Sequence, residues 1–396
     1  MQQLISTKIR EIAESIITSI EQNDLMLEDN GLYFGDGGVL LFLSHYLRYS
    51  EDARVKSVFD KYTESFLEKI SNNLFTHTFC SGISGVFYLL RFVNQYKFLD
   101  IEISEAESSY ESFLNKRLEI EFMKKNHDFM HGALGIGFYF LENLNKQTSK
   151  SLHKLVDQLE IGSIKTSNGR KWESLYAYDE YKYDFGLAHG MSSIIIFLSK
   201  ILKIGINGSK AFSLLTDAVN LIISDQIDHT KYNSHFPDSE YPEQSKIHGS
   251  RLAWCHGDLG ICLALWQAGR ITCNKQWTSI AINVLKKTTL RKDLNKNGVI
   301  DAGFCHGASG IAQIFLRMYH ETLHIDFLNA SNYWIAQTLN MAIFNDGAAS
   351  YKTLGDNNNW IIDHTLLTGI SGIGLVLISS LGSIYTSEWD KIFLLH

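Results

Sequence analysis

The sequence predicts an all-α protein assembled from repeated pairs of helices, and three observations carry that expectation. The 396 residues contain only two prolines, Pro237 and Pro242, both in one polar loop, so the strongest helix breaker is missing elsewhere. A G-x-x-G element followed by an apolar run recurs seven times. Between the copies lie stretches whose apolar residues follow the 3.6-residue helical period.

The first such stretch is N-terminal, with Ile5, Ile9, Ile12, Ile16 and Ile20 on one face; the second carries Val55, Val58, Phe59, Tyr62, Phe66, Leu67 and Ile70 with charges between them. The glycine elements start at Gly35 (Gly35-Asp36-Gly37-Gly38), Gly82 (with Gly85), Gly132 (with Gly135), Gly190, Gly257 (with Gly260), Gly307 (with Gly310) and Gly369 (with Gly372). In the fourth copy Ser193 stands where the second glycine falls. Each unit reads as outer helix, loop, glycine turn and inner helix. An inner helix that is apolar on most sides has to be buried, and an amphipathic outer helix can cover it. Seven pairs closing into a ring would leave no exposed ends. The inner-helix N-termini, with their partial positive charge, would then share one face, and the residues before each glycine would crowd a central pocket. The chain reads as a single domain over 1–396, with the Glu-, Lys- and Ser-rich stretch 91–126 expected as a small elaboration on the rim and a solvated helical face.

Composition narrows the function. A formal net charge of −7 without a long basic run gives nucleic-acid binding little electrostatic support. The start, Met1-Gln2-Gln3-Leu4, lacks the pattern of a signal peptide. The apolar stretches 194–204 and 370–384 are broken by Ser, Lys or Gly, so no integral membrane segment is expected. Five cysteines (Cys80, Cys255, Cys262, Cys273 and Cys305) are too few and too uneven for a disulfide framework, which favours reduced thiols in a cytoplasmic protein.

Copies three to six are chemically loaded just before their glycines. They offer Asp128 and His131, His189, Cys255 and His256, and Cys305 and His306. A lone His or Cys is more often a core residue, but His precedes the first glycine in four successive copies. Cys80 has the same offset as Cys255 and Cys305 and reads as a buried apolar thiol held in reserve as a candidate. Zinc prefers Cys and His ligands, and three protein ligands with one open position make a catalytic site. Cys255, Cys305 and one or both of His256 and His306 supply such a set; adjacency to a cysteine counts equally against each histidine. The stretch from Asp293 to Asp301 resembles the start of a calcium loop, but Phe304 occupies the position that needs a bidentate Glu, so it reads as an Asn/Gly turn. The run Asp356-Asn357-Asn358-Asn359 reads as a polar loop.

The residues Arg251-Leu252-Ala253-Trp254-Cys255-His256-Gly257, Gly303-Phe304-Cys305-His306-Gly307 and Gly186-Leu187-Ala188-His189-Gly190 resemble the motifs of the lanthionine synthetase C-like family, the LanC-type cyclases of lanthipeptide biosynthesis. With the seven glycine elements the resemblance spans essentially the whole chain. It implies an (α/α)7 toroid of seven outer and seven inner helices. It implies one zinc per chain held by Cys255, Cys305 and His306, with His189 and Asp128 catalytic, Arg251 supporting the site and His256 carried in the catalytic group. The implied reaction adds a peptide cysteine thiol across dehydroalanine or dehydrobutyrine to give a thioether ring. The implied partners are a dehydrated precursor peptide, a separate dehydratase and an exporter, whose complex would hold the protein at the membrane periphery. His256 stands where many peptide cyclases carry Tyr, Asp258-Leu259-Gly260 replaces x-Pro-Gly, and Met191-Ser192-Ser193 replaces a proline–glycine. Two alternatives use the same residues: addition of a small thiol such as glutathione to a dehydrated residue, and a non-catalytic scaffold stabilised by zinc. A prenyltransferase-like enzyme would use an Asp with Cys and His, and the paired cysteines argue against it.

Overall fold

The two sequence periods become two kinds of helix. A computed structural model describes all residues except 28, 51, 73–74, 177–181, 241–246, 356 and 383–387. Among the described residues the outer helices are α1 (Gln2–Gln22), α3 (Ala53–Asn72), α5 (Ser104–Met123), α7 (Lys146–Gly162), α9 (Gly208–Ser224), α12 (Lys275–Thr288) and α14 (Ile325–Asn340). They alternate with the inner helices α2 (Asp36–Tyr49), α4 (Ile83–Gln95), α6 (Ala133–Glu142), α8 (Met191–Lys203), α11 (Asp258–Ile271), α13 (Ala308–Thr322) and α15 (Ile370–Ser380); a one-turn α10 (His229–Tyr232) follows α9. The outer helices bury one stripe. In α1 it is Ile5, Ile9, Ile12, Ala13, Ile16 and Ile17, and in α3 it includes Val55, Val58, Phe59, Tyr62, Phe66 and Ile70. Ile20 and Leu67 sit at the stripe's edge and are half-buried. The inner helices are buried nearly all round: every residue from Ala133 to Phe140 in α6 and from Ile370 to Ser379 in α15. Each fully buried Leu, Ile or Phe side chain contributes about 1.5–3 kcal/mol, so these short helices are held by their surroundings rather than by propensity.

The described chain forms two compact units. One comprises Met1–Thr76, Cys80–Ile103 and Val299–Leu395 and carries α1 to α4 and α13 to α15; the other comprises His77–Phe79 and Ser104–Gly298, with His396, and carries α5 to α12. Within each unit the loops before the inner helices are tied to one another by backbone hydrogen bonds. In the first, Tyr33 N–H donates to Cys80 O at 2.8 Å, Leu366 N–H to Tyr33 O at 3.1 Å, and Cys305 N–H to Leu367 O at 2.9 Å. In the second, Phe79 N–H donates to Met130 O at 3.0 Å and Leu187 N–H to Cys255 O at 2.8 Å.

The glycines serve close packing. A Cβ at Gly310 would overlap the carbonyl of Phe304 in its own loop. One at Gly135 would lie 2.5 Å from the Phe129 carbonyl and 2.8 Å from Phe79 Cβ of the neighbouring repeat. The second glycine of the motif is therefore where an inner helix touches its own loop and the next one.

The 91–126 stretch expected as a rim elaboration comprises the end of α4, a connection and α5, a regular helix that packs against α6. The Asp293 stretch is a turn: Asp293 Oδ1 accepts Lys296 N–H at 3.0 Å, and Gly298 takes φ 65°. Two short hairpins, β1 (Ile164–Lys165) with β2 (Arg170–Lys171) and β3 (Thr353–Leu354) with β4 (Trp360–Ile361), complete the fold. Pro242, Asp356 and the end of the 370–384 stretch lie outside the described residues. Among the described residues no helix is long and apolar enough to cross a membrane.

Candidate catalytic and metal-binding site

Each inner helix is capped by the first glycine of its motif, and the loop before it is built to a pattern. Asp or Asn stands six residues before that glycine in five of the seven copies: Asp29, Asn126, Asp184, Asp301 and Asp363. Its side chain accepts the amide two residues on, as from Gly186 to Asp184 (2.5 Å), Gly303 to Asp301 (3.0 Å) and Thr365 to Asp363 (2.7 Å). Its carbonyl accepts the first amide of the inner helix in four of them: Ala133 to Asn126, Met191 to Asp184, Ala308 to Asp301 and Ile370 to Asp363, at 2.9–3.0 Å. These self-bonding turns fix the residue before the glycine. They also occupy the first helical amide of α6, α8, α13 and α15. The recurrence of Asp or Asn at this offset is a further signal readable in the sequence.

In the second unit the turn before α6 presents Asp128 and His131, and the turn before α8 presents His189. The structure brings these three together. Asp128 is buried; its Oδ2 lies 2.7 Å from His189 Nδ1 and its Oδ1 accepts His131 N–H at 2.6 Å. The His131 and His189 rings are stacked with centroids 5.7 Å apart and planes 5° apart, and Tyr176, which sequence reasoning did not single out, lies 4.8 Å and 5.4 Å from them. Burial pulls the His189 pKa down, but the hydrogen bond and charge of Asp128, with smaller contributions from Asp184 and Cys255, leave it raised above the usual imidazole range. Burial dominates at His131, whose pKa is lowered. Asp128 holds His189 through Nδ1, so Nε2 is the nitrogen able to meet a substrate.

The turn before α11 carries Arg251, Cys255 and His256. Cys255 is buried, and its carbonyl anchors the His189 turn through Leu187. Gly257, the cap, takes φ 80°, a left-handed conformation open to glycine. His256 Nδ1 stands 3.6 Å from Asp184 Oδ2, and burial raises the Asp184 pKa. Arg251 donates from Nη2 to the Gly298 carbonyl at 2.6 Å, so in this state its guanidinium braces the 293–298 turn. Beneath lies a group the sequence did not reveal. Asp258, the first residue of α11, is fully buried and accepts His235 and Phe236 backbone amides (both 2.9 Å) and Arg291 Nη1 (3.0 Å). Arg291 also donates to Ser250 O at 2.8 Å and Asn297 Oδ1 at 2.9 Å. A buried ion pair with its hydrogen bonds satisfied thus holds both ends of the 250–258 turn.

In the first unit the turn before α13 presents Cys305 and His306, both half-buried. Cys80 is fully buried before Gly82. None of the five cysteines is in a disulfide.

Alternating buried inner and amphipathic outer helices, with Cys and His placed before the inner glycines, define an α/α protein with a loop-borne polar site. Solved nisin cyclase shares this fold: TM-score 0.75 with 20% identity, covering 98% of this chain and 97% of that one. The fold class is accordingly all-α, an α/α toroid. The sequence matches the family described as Lanthionine synthetase C-like protein over residues 27–394, and the chain belongs to that family. It is also 28% identical over 167 residues to glutathione S-transferase LANCL1 of Danio rerio, a match spanning 41% of this chain and 38% of that protein.

Proposed function

We propose that this protein is a zinc-dependent lanthipeptide cyclase, which adds peptide cysteine thiols across dehydroalanine or dehydrobutyrine to form lanthionine and methyllanthionine rings. The observation that carries the reading is the Asp128–His189 pair beside Cys255, in a member of the lanthionine synthetase C-like family. We assign Cys255, Cys305 and His306 as ligands of one zinc per chain. Two thiols and an imidazole are the donors zinc prefers, and three leave a position open. When bound, zinc supplies a Lewis acid that lowers the pKa of a substrate thiol from its ordinary ~8.5. His189, held by Asp128, donates its Nε2 proton to the substrate α-carbon after sulfur has bonded the β-carbon, while the thiol proton leaves to solvent, from which His189 is reprotonated. The electron pair of the C=C bond passes through the enolate, so the addition needs no oxidant or reductant. Arg251 stabilises that enolate after releasing the Gly298 carbonyl, and His256 with Asp184 supports the approach to the site. The two units belong to one domain in this reading, because the family match runs across both. The dehydratase, the exporter and a cytoplasmic setting at the membrane periphery follow from the same reading.

Cyclisation leaves peptide mass unchanged, so the assay counts thiols that can still be alkylated. Wild-type protein with a dehydrated, cysteine-containing peptide is expected to consume free thiols and to carry about one zinc per chain. Cys255→Ala and Cys305→Ala should lose the metal, and His189→Ala should keep it while losing product. Zinc-free wild-type protein with full activity, or unchanged product from His189→Ala, would overturn the proposal.

A second reading, addition of a small thiol such as glutathione, draws on the LANCL1 similarity. It is distinguished by product mass: a glutathione adduct on the dehydrated peptide would favour it, and ring formation with no adduct in the presence of glutathione would exclude it.

A further inference from the structure

We propose that Asp128, His131 and His189 form a second divalent-metal site, sulfur-free, whose filling by a zinc-class ion silences the proton-transferring dyad. The inhibitory half of the proposal rests on the assignment of His189 as the proton donor; the metal site itself does not. One ligand atom from each of the three residues lies within 4.8 Å of the others. Zinc–nitrogen and zinc–oxygen bonds run about 2.0–2.2 Å, so donors that close converge on one ion after small side-chain adjustments. A carboxylate with two imidazoles and open remaining positions is a common ligand set for zinc-class and other first-row divalent metals.

The donors are also held in advance. Gly132 N–H donates to Asp128 O at 3.1 Å and Ala133 N–H to Asn126 O at 3.0 Å, which fixes the turn carrying Asp128 and His131. His189 is fixed in turn by Met191 N–H on Asp184 O and by Ser174 Oγ on its own carbonyl. The Asp128 side chain is 2% exposed, so its negative charge is removed from water and gains from a cation placed against it. In this state its Oδ2 has His189 Nδ1 as hydrogen-bond partner at 2.7 Å. Tyr176 packs against both rings, tilted on His131 and stacked on His189, yet is itself 44% exposed, so the approach to the rings is at the protein surface.

The exchange balances without any redox step. A divalent ion takes the place of the proton between His189 Nδ1 and Asp128 Oδ2, and that proton leaves to solvent. The imidazole then has no Nδ1–H held by Asp128 and cannot serve as the tuned acid. Activity should therefore peak at one equivalent of zinc and fall as a second is added.

Cobalt(II) titration of the metal-free full-length protein tests this. Two equivalents are expected: one with the intense sulfur-to-cobalt absorption of a cysteine site, the other with only the weak bands of nitrogen and oxygen ligands. His131→Ala and the more conservative His131→Gln, checked for native circular dichroism, should keep the sulfur-bound equivalent and lose the other. In wild type, zinc beyond one equivalent should lower thioether formation at least tenfold. Wild-type protein that stops at one sulfur-bound equivalent, or a second equivalent that survives both His131 variants unchanged, would overturn the inference. A sulfur-free equivalent without any sulfur band would sustain it while removing the cysteine zinc site, so the two proposals fail separately.

Discussion

The turn before α8 and the turn before α15 are nearly superposable as hydrogen-bond diagrams, yet only one places an ionisable side chain before its glycine. Both begin with Asp, Asp184 and Asp363, whose carbonyls accept the first amide of the helix and whose Oδ1 accepts the amide two residues on. Both helices place a serine second, Ser192 and Ser371, whose hydroxyl donates back into the turn at 2.6 Å and 2.5 Å. They part at the residue before the glycine. Thr368 donates its hydroxyl to Asp363 Oδ2 at 2.6 Å, which satisfies the turn internally. His189 reaches outward to Asp128, and Asp184 Oδ2 faces His256 instead. The repeat thus supplies a common frame, and in the proposed function activity depends on what replaces one internally satisfied side chain.

The largest effect should separate the two turns at that position. His189→Ala is expected to lower thioether formation by about 10²–10⁴-fold, the range for losing a general acid–base group, with unfolding free energy little changed. Thr368→Ala should do the reverse, costing about 1 kcal/mol of stability for one hydrogen bond and leaving kcat near wild type. Equal losses of activity in both variants would break the comparison.

The turn before α11 departs from this pattern, because Arg251 stands where five of the other six copies have Asp or Asn, and the buried Asp258–Arg291 pair replaces the missing anchor. Removing one partner strands a buried charge. Arg291→Ala should therefore cost about 3–5 kcal/mol in urea unfolding, and it should weaken zinc retention through the displaced Cys255. Arg291→Ala with wild-type stability would show that the turn has another anchor.

The capping glycines should respond alike in both turns. A Cβ at Gly190 would overlap the Asp184 carbonyl, and one at Gly369 would overlap Asp363 Oδ1 and lie 2.5 Å from Thr365 N. Both Gly→Ala changes are expected to cost about 1–3 kcal/mol, the usual range for overpacking. A cost confined to Gly190 would mean that the α15 turn is softer than its bonding implies.

This division explains what was legible beforehand. Helix alternation follows from local periodicity and the rarity of proline, so the positions of α1, α3 and the inner runs could be read directly. The glycine spacing was legible as a motif, but its cause is tertiary: the second glycine is needed where Phe79 Cβ of the neighbouring repeat meets Gly135. The loaded residues were legible because they recur at one offset. Asp258 and Arg291 were not, since they lie 33 residues apart and each looks like an ordinary surface charge until both are buried. Tyr176 was hidden for a similar reason, on an irregular segment whose contact with His131 and His189 no period announces.

The smallest expected effect is a displacement along the pH axis rather than a loss of fold. Asp128 holds the His189 pKa above its ordinary value against the opposing effect of burial. A group raised on folding contributes stability that is fully present below its unfolded pKa and is lost as pH rises through its folded pKa. The acid form that the reaction uses disappears over the same upper interval. Asp128→Asn keeps the shape of the carboxylate but not its charge, so burial then prevails and the pKa should fall. The alkaline limb of the kcat profile is therefore expected to move to lower pH, while the stability contribution present below the ordinary imidazole pKa disappears. Thr368→Ala, in the turn whose residue before the glycine does not titrate, should leave that limb in place. An alkaline limb unmoved by Asp128→Asn would show that another group donates the proton, and the contrast between the two turns would then be one of packing alone.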